Sequence, residues 1–138
     1  RLYAEARNLW LRLYSNDPDA VSGSEKLLPH VIPNSRIKLQ FARSGWGSVW
    51  LSMLSGTPFV APAFDPGDDP EIYFNNISIE KLGLGIIYRG QSLSALLEEA
   101  ERLRPGIARF NQELIHKFGT VDGNEYCAER IVTKHFGL

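Results

Sequence analysis

Ile37-Lys38-Leu39-Gln40-Phe41-Ala42-Arg43-Ser44-Gly45-Trp46-Gly47-Ser48 runs from an alternating apolar segment into two glycines and two hydroxyls, and a helical pattern follows. Ile37, Leu39 and Phe41 fall on one face of an extended chain, so 37–42 is predicted to be a strand. Residues 47–55 are predicted to be a helix that stops at Gly56, a natural residue to follow a helix end. Small and hydroxyl residues therefore sit where a strand turns into a helix. In an open α/β sheet that junction lies at the carboxyl ends of the strands, where ligands bind. A helix start also offers free N–H groups and the positive end of the helix dipole, so a phosphate suits it.

The pattern continues on both sides. Thr57–Phe64 is short, apolar and flanked by turn residues, which favours a buried strand. Asp65-Pro66-Gly67-Asp68-Asp69-Pro70 is a loop, with Asp69 as cap and Pro70 in the first turn of a helix to about Leu82. Gly85–Tyr88 is a further buried strand. Ser92 caps a helix carrying Leu93, Leu96, Leu97, Ala100 and Leu103 on one face. Pro105 is expected to open another helix, with Ile107, Phe110, Leu114 and Phe118 inward, and a last helix runs from Asp122 or Gly123 to about Phe136. Upstream, Leu2, Ala6, Leu9, Trp10 and Leu13 predict an amphipathic helix over 2–15, and a short helix is expected around Glu25–Val31. The order β-α-β-α-β-α-α-α predicts an α/β domain with helices on the faces of a parallel sheet.

The chain has 138 residues, enough for one domain with a core, at 43% hydrophobic and 22% charged. A net charge of −1 supplies no basic field for nucleic acid or an anionic membrane. One cysteine, Cys127, and three scattered histidines, His30, His116 and His135, give no Cys/His zinc spacing. Cysteine usage fits a reducing compartment. The chain opens at Arg1 directly in a helical pattern, and we read it as the C-terminal piece of a longer protein.

From Leu28 to Tyr88 the sequence resembles the C-terminal, donor-binding domain of GT-B glycosyltransferases. The similarity is to the N-acetylglucosaminyltransferases of peptidoglycan-precursor synthesis and to the UDP-glycosyltransferases. Arg43-Ser44-Gly45 resembles the Arg-Ser-Gly or Arg-Ala-Gly of the former, and the run to Ser48 matches His-Cys-Gly-Trp-Asn-Ser of the latter at Gly, Trp and Ser. Ser55-Gly56-Thr57-Pro58 resembles Ala-Gly-Val-Pro. Asp69 to Asn76 resembles the segment with Asp, two Gln and Trp-Asn-Ala, and Leu82-Gly83-Leu84-Gly85 resembles Leu-Gly-Val-Gly. The closing segment, 92–136, is similar more loosely.

The resemblance implies a Rossmann-like three-layer domain, the C-terminal half of a GT-B architecture, spanning 1–138 and lacking an N-terminal acceptor domain. It implies a cytoplasmic protein that binds a nucleotide-activated sugar, UDP-linked, as substrate rather than cofactor. Its partner is its own N-terminal domain, through which it would associate peripherally with a membrane. That domain also supplies the catalytic base, so no catalytic residue is assigned in this chain. Arg43, Ser44, Gly45, Trp46, Gly47 and Ser48 would hold the diphosphate, and Glu71 and Asn75 would read sugar or ribose hydroxyls. His30 lies near where the family packs the donor base.

Two positions depart from the family. The ribose-binding Glu, eight positions after the Arg, falls on Leu51, and the sugar-reading Gln pair falls on Glu71 and Ile72. Losing one charge-assisted hydrogen bond costs about 1.5–3 kcal/mol, roughly ten- to hundredfold in affinity. A non-catalytic relative that keeps the fold as a binding or assembly module is therefore the alternative. A hydrolase or epimerase on the same scaffold would need further acid/base residues that the sequence does not offer.

Plainer readings stand beside these. Ser44–Ser48 is also what a tight strand–helix turn needs for packing. Arg43 is equally suited to an ion pair at the strand end. Asp65, Asp68, Asp69 and Glu71 have hard oxygen ligands for calcium or magnesium, but lack an EF-hand pattern; a solvated loop is expected there, with no metal. Trp46 is placed to stack on a sugar or base, and Trp50 is expected in the core.

Overall fold

A computed structural model describes residues 1–28 and 34–137. In chain order these form α1 (Leu2–Asn8), β1 (Tyr14–Ser15), β2 (Glu25–Lys26), β3 (Gln40–Phe41), α2 (Trp46–Ser55) and β4 (Phe59–Pro62). Then come α3 (Pro70–Lys81), β5 (Gly85–Tyr88), α4 (Leu93–Phe118), α5 (Gly123–Ile131) and a wide π-helical turn over Val132–Phe136. The chain is mixed α/β, with small parallel sheets. β3, β4 and β5 form a three-stranded sheet in that order, with Phe59 opposite both Gln40 and Gly85. β1 and β2 form a separate parallel pair.

Alternation along the strands splits the core between the two faces of the sheet. Phe59, Ala61 and Ile87 point to one face and meet Val49 and Met53 of α2, Ile79 of α3 and Ile107 of α4. Val60 and Ile86 point to the other and meet Leu96 and Ala100 of α4, with Leu2 and Leu39 alongside. β4 is buried almost without interruption, as the continuous apolar run predicts. Gly85 is required by close approach: a Cβ there would lie 2.8 Å from the Phe59 carbonyl oxygen.

The sheet helices begin and end where their chemistry directs. The Asp69 carboxylate accepts the Glu71 N–H at 2.9 Å, and Pro70 opens α3. The Ser92 hydroxyl accepts the Ala95 N–H, and the Asp122 carboxylate the Asn124 N–H. Gly56 follows α2 at φ +66, and Gly83 follows α3 at φ +66.

Four expectations are corrected. First, the helix over 2–15 stops at Asn8, and Tyr14–Ser15 pairs as a strand with Glu25–Lys26 instead. The turn there has Trp10 at φ +56, with Trp10 N–H bonded to the Arg7 carbonyl and Leu11 N–H to that of Ala6. That is the Schellman arrangement, with tryptophan where glycine is usual. Second, Glu25–Lys26 is strand rather than the start of a short helix, because it pairs with β1; Leu27 and Leu28 follow without helix, the Leu27 N–H bonding to the Ser15 carbonyl, and Pro29, His30 and Val31 of that expected helix lie outside the described residues. Third, in the edge strand β3 the stretch expected over 37–42 is ladder-paired only at Gln40–Phe41, because the Ile37 N–H bonds to the Asn34 carbonyl and Arg104 takes the carbonyls of Ile37 and Lys38. Phe41 is exposed on that edge and packs edge-on against Tyr88.

Fourth, Pro105 does not start a helix; it lies inside the 26-residue α4. The apolar stripe continues through it. The first half of α4 covers the Val60 face, the second half joins the Phe59 face, and Leu103 touches both clusters. Arg104 holds this changeover by donating to the carbonyls of Ile37 (2.6 Å), Lys38 (2.8 Å) and Gly56 (3.3 Å). Those tertiary bonds and contacts offset the backbone bond that proline cannot make.

Candidate anion-binding site at the start of α2

The Arg43–Ser48 turn leaves the carboxyl end of β3, and the 63–69 loop leaves the carboxyl end of the neighbouring β4. Sequential parallel strands bring these two connections side by side. Arg43 reaches across and pairs with Asp68 at 2.7 Å. The guanidinium stays more than half exposed, so the pair is screened and worth about 0–1 kcal/mol. The ion pair expected as one reading of Arg43 is thus formed, on the rim of the turn.

Ser44 faces inward. It is fully buried, and its hydroxyl donates to Asn76 Oδ1 at 2.7 Å, with the Ile72 carbonyl at 3.3 Å. Asn76 in turn donates to the Pro62 carbonyl at 3.1 Å. Asn75 donates to the Ser44 carbonyl at 2.7 Å and to Glu71 Oε1 at 3.1 Å. Two adjacent asparagines of α3 thus pin both polar ends of Ser44 and tie the turn to the end of β4. Buried polar groups that are fully paired rigidify what they join.

The outer side of the turn differs. Gly45 is the N-cap of α2 and has no side chain to cap it, unlike Asp69, Ser92 and Asp122 at α3, α4 and α5. Ser48 and Val49 N–H groups bond back to the Gly45 carbonyl. Those of Trp46 and Gly47 have no acceptor among the described residues. A Cβ built at Gly45 or Gly47 would meet nothing within 4 Å. Packing inside the protein therefore does not explain these glycines. Trp46, 69% exposed, stands over the first turn, and Ser48 occupies its third position.

Glu71 and Asn75 lie one turn apart on α3 and are held beside this turn by the Asn75 bonds. Ile72 is 5% exposed and part of the interior, so it faces away from any ligand over the turn. Leu51 lies on α2, half-buried and apolar. Trp50 is partly buried against the core, and His116 and His135 are exposed on late elements. Among the described residues no group of three or more His, Cys, Asp or Glu is placed to hold a metal ion, and no helix is long and apolar enough to cross a membrane.

Sequence reasoning missed Asn76 and Asp68. Asp68 was placed in the acidic loop but not opposite Arg43, because loop geometry sets that pairing. Asn76 had a usable signal: a polar residue four positions after Ile72 and three before Ile79, on the buried stripe of α3. Compared with known family models, with curated proteins and with solved structures, the chain finds no match.

Proposed function

We propose that this chain is the donor-side, Rossmann-like three-layer domain of a GT-B glycosyltransferase. It binds the diphosphate of a nucleotide-activated sugar, UDP-linked by the sequence resemblance, at the start of α2. The observation that carries this reading is the uncapped, glycine-lined first turn of α2, open on its outer side at the carboxyl end of a parallel sheet. The Trp46 and Gly47 N–H groups and the helix dipole stabilise the leaving diphosphate. Arg43 reaches the diphosphate by exchanging its 2.7 Å pair with Asp68 for the phosphate oxygens, Ser48 offers a hydroxyl, and Glu71 and Asn75 read the sugar. Ser44 serves through its backbone, because its hydroxyl is committed to Asn76. An N-terminal domain supplies the acceptor site and the base, and the setting is the cytoplasmic side of a membrane.

The second reading, a non-catalytic relative, is favoured by two side chains. Leu51 cannot bond a ribose, and Ile72 is buried where the family has a sugar-reading residue. Thermal melts with UDP, UDP-GlcNAc and other nucleotide sugars separate the two. A ligand present at 100 times its Kd adds about 2.7 kcal/mol of stability. A melting temperature unmoved by every nucleotide, in a chain joined to its N-terminal half, supports the binding-module reading and removes the donor-site one.

A further inference from the structure

Arg43 apart, every charged side chain on the two connections that meet at the start of α2 is an acid: Asp65, Asp68, Asp69 and Glu71. From Ser44 to Glu80 the chain carries no lysine, arginine or histidine.

The four acids differ in what they are free to do. Asp69 accepts the Glu71 N–H and is committed to starting α3. Asp65 accepts the Gly67 N–H at 2.8 Å and shapes the loop. Asp68 holds Arg43. Glu71 is placed differently. Its Oε1 accepts from Asn75 Nδ2 at 3.1 Å, and the same nitrogen donates to the Ser44 carbonyl at 2.7 Å. One bridging amide thus fixes this carboxylate beside the turn. Glu71 is exposed, and its Oε2 has no hydrogen-bond partner among the described residues, so that oxygen is available to a ligand.

An anion seated on the turn brings a second acid into play. When Arg43 exchanges Asp68 for phosphate oxygens, the Asp68 carboxylate loses its cation. The group carried next to the anion then meets carboxylates. Carboxylates only accept hydrogen bonds, so they favour hydroxyl and ammonium groups. They repel another carboxylate, and such repulsion is a means of selection.

We propose that the sugar subsite selects by charge: it takes a neutral or amino sugar and rejects an acidic one such as a uronic acid, with Glu71 as the selecting residue. The inference rests on the nucleotide-sugar reading of the same site and adds the class of sugar to it.

Calorimetric titration of the full chain with UDP, UDP-glucose and UDP-glucuronic acid tests the two separately. The two sugars differ at one carbon, hydroxymethyl against carboxylate, so the ratio of their affinities isolates the charge. UDP-glucuronic acid is expected to bind at least about fivefold more weakly than UDP-glucose, the size of one exposed charge contact. In Glu71→Gln, which keeps an oxygen for Asn75, the ratio should fall below about twofold. Glu113→Gln, at an exposed position of α4, makes the same change in net charge and should keep the parent ratio. Equal affinity for the two sugars in the parent overturns the proposal. So does a ratio that Glu71→Gln leaves unchanged, or that Glu113→Gln lowers equally. In each of those cases UDP binding leaves the diphosphate site standing. Absence of binding by UDP and by both sugars removes the donor site itself, and the proposal with it.

Discussion

Ser44 and Asn76, thirty-two residues apart, share a 2.7 Å hydrogen bond in which both residues are buried. This bond sets the inner wall of the turn that opens α2. Removing one partner strands the other without water, at about 1–3 kcal/mol. Ser44→Ala is expected to destabilise by about 1–2 kcal/mol. Asn76→Ala, which also frees the Pro62 carbonyl and leaves a small cavity, is expected to cost about 2–4 kcal/mol. In urea unfolding the double variant should cost clearly less than the sum of the singles. Strict additivity would mean that the two groups do not act as a pair.

Gly47→Ala should separate stability from binding. The position is helical and a Cβ there has room, so the variant should gain about 0.5–1 kcal/mol in the free protein. The same Cβ would stand between the backbone and a diphosphate. UDP affinity is expected to fall at least tenfold, about 1.4 kcal/mol. Calorimetric titration reading equal affinity in both proteins would remove the turn as a diphosphate site.

Trp10 occupies the left-handed position of a helix-end motif that glycine fills after α2 and α3. The side chain is 94% exposed, so little packing is lost by removing it. A left-handed L-residue costs about 1–2 kcal/mol, partly offset by the entropy of a new glycine. Trp10→Gly is expected to raise stability by about 1 kcal/mol in chemical denaturation. A loss of stability would mean that the indole is held by contacts the fold needs.

Glu5 of α1 accepts the Leu93 N–H at 2.6 Å, closing the start of α4 from 88 residues away. That bond, and next the hydrogen bond from Arg1, hold its carboxyl below the usual value of 4.5. A depressed carboxyl contributes stability that is present in full above about pH 4.5 and disappears as pH falls through the lowered value. Glu5→Gln should therefore melt below the parent at pH 7. The gap should narrow in melts taken progressively below pH 4.5. A gap of constant size across that range would show that the charge is not what matters.

How much of this was legible in the sequence follows how local each cause is. β5 stands at the expected Gly85–Tyr88, and α3 begins at Pro70 under the Asp69 cap. α2 ends before a left-handed Gly56. Caps, turn residues and apolar periods act within a few residues, so the sequence carries them directly. The α/β class came from the same signals in order.

Tertiary contact decided the rest. Leu9, Trp10 and Leu13 extend a helical period that the chain does not follow, because Tyr14–Ser15 finds a strand partner in Glu25–Lys26. Pro105 carries a stop signal that α4 overrides, because Arg104 and the Leu103 contacts hold the helix across both faces of the sheet. The sequence placed Ser44 in the turn; only packing turned its hydroxyl inward to Asn76 and left Gly45 and Gly47 open on the other side. A residue's type determines which bonds it is able to make, whereas the neighbours brought to it by the fold determine which of them are made.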